Sequence, residues 1–316
     1  MLRFGSLHGR LLSAREIYTD ALALTFGVGL HPFDAEQDES RQFDLSISDS
    51  PTPASNAVTT ERHVSALTLG GTPLRPTIAT DAVRAELELD RQPVSIQITV
   101  LSTDAPFDAL CVHFVVIIHK VLSFLDRAVL HAAAVRMDDE VSIFMGDKGA
   151  GKSTTCLALA RAGGTVLGED QLILRRLEGR YLVSGGDERS RVTAETESHF
   201  FAEPLTVPAR DFAGTMKKEI RMRDFFRSEP FRDFTPTRIL FPRVTGRFEL
   251  RPLRPQQALL RVMRYNAHFQ RFQGASDQAA FLDFLAGFIA TVSCWELSLS
   301  HDLGDLDGLA KKLRSA

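Results

Sequence analysis

Cysteine is scarce. Cys111, Cys156 and Cys294 are the three present in 316 residues, and they stand far apart. An odd, scattered set without zinc-type spacing argues against a disulfide scaffold and a cysteine metal cluster, and it suits a reducing cytosol. A surplus of one charge is also missing. Against 37 Lys and Arg stand 40 Asp and Glu, a net charge of −3, so no dedicated nucleic-acid surface is expected. Long apolar runs are absent as well. The opening stretch MLRFGSLHGR has no apolar core, so no signal peptide is expected. The most apolar segment, Ala109–Leu125, is broken by His113, His119 and Lys120, which points to a buried helix and away from a membrane span. No internal repeat or low-complexity segment occurs. What remains is ordinary globular material, 44% apolar and 24% charged, in a chain long enough for two units. A cytoplasmic protein is the expectation.

Against that background one stretch stands out, IFMGDKGAGKSTTCLALARAGGTVLGED, Ile143 to Asp170. Gly146, Asp147, Lys148, Gly149, Ala150, Gly151, Lys152 and Ser153 match the phosphate-loop pattern G-x-x-x-x-G-K-[ST] in full, with Thr154 following. The apolar run Val141–Met145 before it suits a buried strand. Thr154–Ala162 after it suits a helix closed by Gly163 and Gly164. Between them the glycines let main-chain N–H groups curl round an anion at the helix N-terminus. Lys152 is placed to reach β- and γ-phosphates, and Ser153 to hold Mg²⁺. ATP and Mg²⁺ are therefore the expected ligands.

Elsewhere the pattern is coarser. Residues 1–104 read as a β-rich or α+β lobe. ESRQFDLSISDSPTPASNAVTTERH gives a strand and then a loop, and RAELELDRQPVSIQITVL gives two strands around Asp90–Pro93. Phe107–Arg127 reads as a long helix leading into a nucleotide domain spanning 105–316. Further on, RFELRPL reads as a strand and PQQALLRVMRYNAHFQRF as a helix opened by Pro255. SDQAAFLDFLAGFIATV follows as a helix capped by Ser276, then a strand at Trp295–Ser300 and a helix near Leu306–Leu313.

The flanks of the loop separate kinases from motors and switches. Upstream, Val129–Val135 reads as one apolar strand. The MDDE connection to the loop strand is too short for a crossover helix, so the two must pair antiparallel. Motors and switch GTPases usually build this part of the sheet from parallel strands. Downstream, TVLGED returns a strand beside the loop. Neighbouring strand residues face opposite ways, so Glu169 and Asp170 both reach a phosphate only if the strand ends there, which Gly168 favours. His131 is the single polar group in its apolar run. It reads either as a satisfied core histidine or as a partner of the returning acid, able to help activate a hydroxyl.

The set LHAAAV, GDKGAGKST and LGED resembles the HPr kinase/phosphorylase family, in its HPr-kinase-related branch, distantly related to ATP-dependent phosphoenolpyruvate carboxykinases. The resemblance implies an α/β fold with a P-loop kinase core of that type and a mixed sheet, beside the smaller N-terminal β-rich lobe. It implies a serine kinase in which Asp170 is the catalytic base, His131 its partner, Ser153 a metal ligand and Glu169 a metal or positioning residue. Glu169 stands where the family usually has Asp. The glycine-rich signature that follows the acidic pair in HPr kinase proper is missing from YLVSGGDERSRVTAETESHFF, where Glu188 and Glu195 are candidates for its carboxylate, with surface placement the favoured alternative for each. Related kinases with this motif set phosphorylate the C-terminal serine of lasso-peptide precursors, and such an acceptor is the preferred expectation. In the basic stretch Thr215–Phe234, Lys217 or Lys218 and Arg221 are candidates to meet phosphates or an acidic terminus; the alternative is a solvated helix or loop. An HPr(Ser)-kinase-like regulator, a small-molecule kinase and a non-catalytic nucleotide sensor stay open, as does homo-oligomer formation.

Overall fold

The computed structural model describes residues 2–4, 7–13, 15, 17–18, 43–49, 68–72, 74–80, 82–101, 110, 111, 114, 117, 118, 121, 122 and 125–314, the last range without 186–188, 212–213 and 267–274. The loop expected after Asp49 and the candidate Glu188 lie outside them. The chain is mixed α/β and divides into two compact units, Met1–Leu125 and Asp126–Ala316. The division comes after the described helical residues Leu110, Cys111, Phe114, Ile117, Ile118, Val121 and Leu122, which the sequence grouped with the nucleotide domain.

The first unit holds a seven-stranded mixed sheet: β1 (Leu2–Phe4), β2 (Leu7–Ser13), β3 (Phe43–Asp49), β4 (Thr68–Thr72), β5 (Arg75–Ala79), β6 (Val83–Glu88) and β7 (Val94–Val100), in the order β1-β2-β3-β7-β6-β5-β4. Alternation does the work here. Phe43, Leu45 and Ile47 are buried on β3, and Val83, Ala85 and Leu87 on β6, while Arg84 and Glu86 point out. The buried Leu110, Phe114, Ile117, Ile118 and Val121 follow the i, i+4, i+7, i+8, i+11 pattern of one helical face. The helix expected over 107–127 is shorter, since Arg127 already lies in a strand.

The second unit begins with β8 (Arg127–Leu130), β9 (Ala133–Met137) and β10 (Glu140–Phe144), followed by α1 (Lys152–Arg161) and β11 (Thr165–Gly168). β12 (Leu172–Leu177), β13 (Arg180–Gly185), β14 (Arg189–Val192), α2 (Ala194–Phe200), β15 (Ala209–Asp211) and β16 (Met216–Arg221) come next. β17 (Arg238–Val244), β18 (Glu249–Pro252), α3 (Pro255–Tyr265), α4 (Ala275–Ile289), β19 (Ser293–Leu299) and α5 (Leu309–Arg314) complete it. Its main sheet runs β11-β9-β10-β17-β19-β18, with β10, β17 and β19 mutually parallel and the rest antiparallel. Both faces are covered, which is why β10 and β17 are nearly continuous apolar runs. On one face Phe144, Leu240 and Leu297 pack with Leu157 and Leu159 of α1. On the other, Ile143, Ile239 and Phe241 pack with Ala258 and Val262 of α3 and Leu285 and Phe288 of α4.

Local signals place several elements as expected. The β9–β10 hairpin is antiparallel, with Asp138 at φ 55 in its turn. Pro255 opens α3, while α4 begins at Ala275, so Ser276 lies inside the helix and not at its cap. Two expectations are corrected. Val129–Val135 is not one strand: it breaks at His131–Ala132, with β8 joining a three-stranded sheet β13-β12-β8 and β9 joining the main sheet. The stretch from Thr215 is neither helix nor loop at its start, because β16 lies between β14 and β15 in a third sheet. No disulfide joins Cys111, Cys156 and Cys294. No described helix is long and apolar enough to cross a membrane.

Candidate active site

Parallel strands with helices on both faces offer a crevice at their carboxyl ends, and the glycine loop sits there. It follows β10 directly. Beneath it lie the ends of the other two parallel strands: a Cβ on Gly146 would stand 3.4 Å from the Pro242 carbonyl of β17, and one on Gly151 only 2.9 Å from Leu299 Cδ1 of β19. Gly149 (φ 83) and Gly151 (φ 98) occupy left-handed backbone that L side chains rarely adopt, and this lets the loop double back before α1 starts. Asp147, Lys148 and Gly149 are exposed, whereas Ala150, Ser153 and Thr154 are half-buried. Thr155, which the sequence did not single out, donates its hydroxyl to the Gly151 carbonyl at 2.7 Å and secures the first turn. Lys152 is buried and curls back, donating to the carbonyls of Gly146 (2.7 Å) and Asp147 (3.3 Å). Burial draws its ammonium below its usual range, against the pull of Asp170, Glu169 and Asp147.

The acidic pair reaches this lysine by a construction of two strand breaks. β8 pairs with β12 (Leu130 opposite Leu172), and β9 pairs with β11 (Ala134 opposite Gly168). Both chains therefore change sheets at the same level, one at His131–Ala132 and the other at Glu169–Gln171. A bulge between Val166 and Gly168 ends β11 there. Asp170 sits at φ 59 in a tight turn closed by Gln171 N–H to the Glu169 carbonyl at 2.6 Å, so Glu169 and Asp170 are freed from strand alternation. Gly185 holds the bulge from below: a Cβ there would lie 1.9 Å from the Leu167 carbonyl oxygen.

Glu169 is 1% exposed. Its Oε2 accepts from the Ser190 hydroxyl at 3.1 Å, while Oε1 is buried and has no well-formed hydrogen bond among the described residues. Burial and then the Asp170 charge push its carboxyl up to about 7; Ser153, Ser190 and Cys156 beside it pull the other way. An orphaned carboxylate oxygen near the Ser153 hydroxyl is a pair of hard oxygen donors. It fits Mg²⁺, which takes one or two protein oxygens and completes its shell with water and phosphate. Among the described residues no trio of His, Cys, Asp or Glu gathers as a self-sufficient metal cage.

His131 and Asp170 do meet, through different atoms from those expected. His131 Nδ1 lies 3.1 Å from the main-chain carbonyl of Asp170, which can only accept, so Nδ1 carries the proton. Burial and then the Lys152 charge hold the imidazole below its ordinary pKa, hence neutral near pH 7. The Asp170 carboxylate is instead gripped by Arg191 of β14 at 3.3 Å. Arg191 also donates to Glu219 of β16 at 3.2 Å, and Glu219 faces Arg189 at 3.5 Å. From the far end of α3, fully buried Asn266 accepts the His131 N–H at 2.7 Å. Arg191, Ser190 and Asn266 were missed by the sequence reading; Gly146 through Thr154, Glu169, Asp170 and His131 come together. Lys218 donates to Glu197 (2.8 Å) and to the Leu205 carbonyl (2.7 Å), and Glu195 sits exposed on α2. Lys217 and Arg221 lie on β16, Arg221 exposed opposite Arg189.

The sequence matches no protein-family model and no curated protein. Among solved structures it is similar to the HPr(Ser) kinase/phosphatase from Coxiella burnetii, with a TM-score of 0.31 and 12% identity over 59% of this chain and 95% of that one. Likeness at that level lends no weight to an assignment of activity.

Proposed function

We propose that the chain is an ATP-dependent kinase that transfers the γ-phosphoryl group to a serine hydroxyl of a peptide or protein. One observation carries this: the two simultaneous strand breaks bring Glu169, Asp170 and His131 to the lysine of a glycine loop at the carboxyl ends of parallel strands. Anion binding belongs to the loop, whose N–H groups and helix terminus favour phosphate oxygens. With phosphate in place, Lys152 exchanges its two carbonyl partners for β- and γ-oxygens. Ser153 and Glu169 would hold Mg²⁺, which when bound neutralises charge on the phosphates.

Asp170 receives the proton of the attacking hydroxyl as its oxygen bonds to the γ-phosphorus and the bond to the leaving ADP oxygen breaks. Arg191 fixes the direction of that carboxylate from one side. His131 fixes the strained turn from the other, by holding the Asp170 carbonyl. The acceptor is proposed as the C-terminal serine of a lasso-peptide precursor, on the resemblance of the motif set.

Asp170→Asn should keep ATP affinity and abolish phosphate transfer, whereas Lys152→Ala should weaken ATP binding itself. Both constants measured on both variants decide. Unchanged behaviour of Asp170→Asn would leave a nucleotide sensor, and transfer to small alcohols but not to serine peptides would leave a metabolite kinase.

A further inference from the structure

The sequence placed its basic candidates at Thr215–Phe234, yet there Lys218 is taken by Glu197 and Arg232 by Glu229, and Glu219, Asp224 and Asp233 stand in the same stretch. A denser excess of positive charge lies elsewhere. Between residues 243 and 264 stand Arg243, Arg247, Arg251, Arg254, Arg261 and Arg264, against the single acid Glu249, in a protein whose net charge is −3.

Four of them form a connected face. Glu296, on β19, is 3% exposed and lies between Arg251 of β18 and Phe241 of β17 in the sheet register. Its two oxygens are taken by Arg251 and Arg261, and Arg243 approaches at 3.7 Å. One guanidinium neutralises a buried carboxylate, and a third gains little from an acid already matched. The second and third are thus surplus, and the side chains of Arg243 and Arg251 are 60% and 61% exposed. Arg261 rests over the Phe241 ring, with one terminal nitrogen buried and without a hydrogen bond among the described residues. One helical turn further along α3, Arg264 reaches Asp147 of the glycine loop at 2.9 Å. Guanidiniums therefore lead from the loop to β18, at the edge of the main sheet, where no described strand pairs with its outer side.

We propose that Arg243, Arg251, Arg261 and Arg264 dock an acidic segment of the acceptor polypeptide, next to the residue to be phosphorylated. This rests on the kinase reading for its purpose. The charges are spread over β17, β18 and α3 and do not converge on one point. That arrangement suits carboxylates carried along an extended chain better than a single small anion. Arg264 joins the face to the loop, so a segment held there keeps its neighbouring residues by the transfer site.

The test is direct binding, which needs no turnover. Fluorescence anisotropy on the full chain compares labelled serine peptides whose other positions are Glu, Gln or Lys. The Glu peptide should bind about tenfold or more tightly than the Gln peptide, weaken with salt, and outbind the Lys peptide further still. Arg243→Gln with Arg251→Gln should abolish that preference while ATP affinity is kept, which also shows that the variant is folded. Arg251→Gln alone, with Arg261 still on Glu296, should lose part of it. Equal binding of Glu and Gln peptides, or a preference that survives both variants, overturns the proposal. So does a single-stranded DNA oligonucleotide that binds as tightly as the Glu peptide and depends on the same arginines. The two readings fail separately. Acidic-peptide binding without phosphate transfer sinks the kinase and spares the docking face, and transfer indifferent to acidity does the reverse.

Discussion

Glu169 makes the site's electrostatics measurable without a substrate. Its carboxyl is raised from 4.5 to about 7, chiefly by burial. An acid whose pKa is higher folded than unfolded contributes stability that is fully present below about pH 4.5 and is lost as pH rises through about 7. That shift corresponds to about 3 kcal/mol across the window. His131 tilts the other way in the same range: its pKa is lowered, so its contribution is present above the unfolded value and lost as pH falls. The comparison that isolates Glu169 is therefore the wild type against Glu169→Gln, which mimics the protonated acid at every pH. Between pH 5 and pH 8.5, without Mg²⁺, the wild type should fall relative to the variant by about 3 kcal/mol, or roughly 6–12 °C in unfolding midpoint. Differential scanning fluorimetry in a pH series reads this directly. Adding Mg²⁺ at pH 8.5 should recover part of the loss in the wild type and none in the variant, since a cation at Oε1 replaces the proton. A difference that stays flat with pH would refute the buried, proton-demanding carboxylate and, with it, the oxygen pair assigned to the metal.

Two further substitutions probe the supports of the acidic turn. Gly185→Ala sets a methyl 1.9 Å from the Leu167 carbonyl oxygen and 2.7 Å from Gly168 Cα, both main chain, so a strand must move; a loss of about 3 kcal/mol or more is expected by chemical denaturation, where an unchanged midpoint would show that the bulge is soft. Asn266→Leu removes the acceptor of the His131 N–H and should cost about 1–3 kcal/mol in thermal unfolding while ATP affinity, measured by titration, is kept.

How much of this was legible depends on how far the determining contact lies along the chain. The glycine loop, its flanking strand and helix, and the two-residue hairpin are settled by neighbours within a few positions, and they fold as read. The break at His131–Ala132 could not be read, because Val129–Val135 has no glycine or proline to interrupt it. What splits it is pairing with β12 on one side and β11 on the other, both well downstream in the chain. Arg191 hides for the same reason: on β14 it alternates as any half-exposed strand residue would, and only the return of Asp170 brings it to the acidic turn. Asn266 lies in RYNAHF, which continues a helical pattern, while the helix ends at Tyr265 and turns the amide inward. Glu169 and Asp170 show where the two kinds of information meet. Spacing from the loop and Gly168 predicted that their strand ends; the strained Asp170 turn and the close approach of Gly185 show what ends it. The chemistry-bearing residues were thus visible as types at the right distance from the loop, but the groups that orient them come from β14 and the far end of α3. Those elements are brought in by sheet pairing and helix packing, interactions that leave no local mark in the sequence.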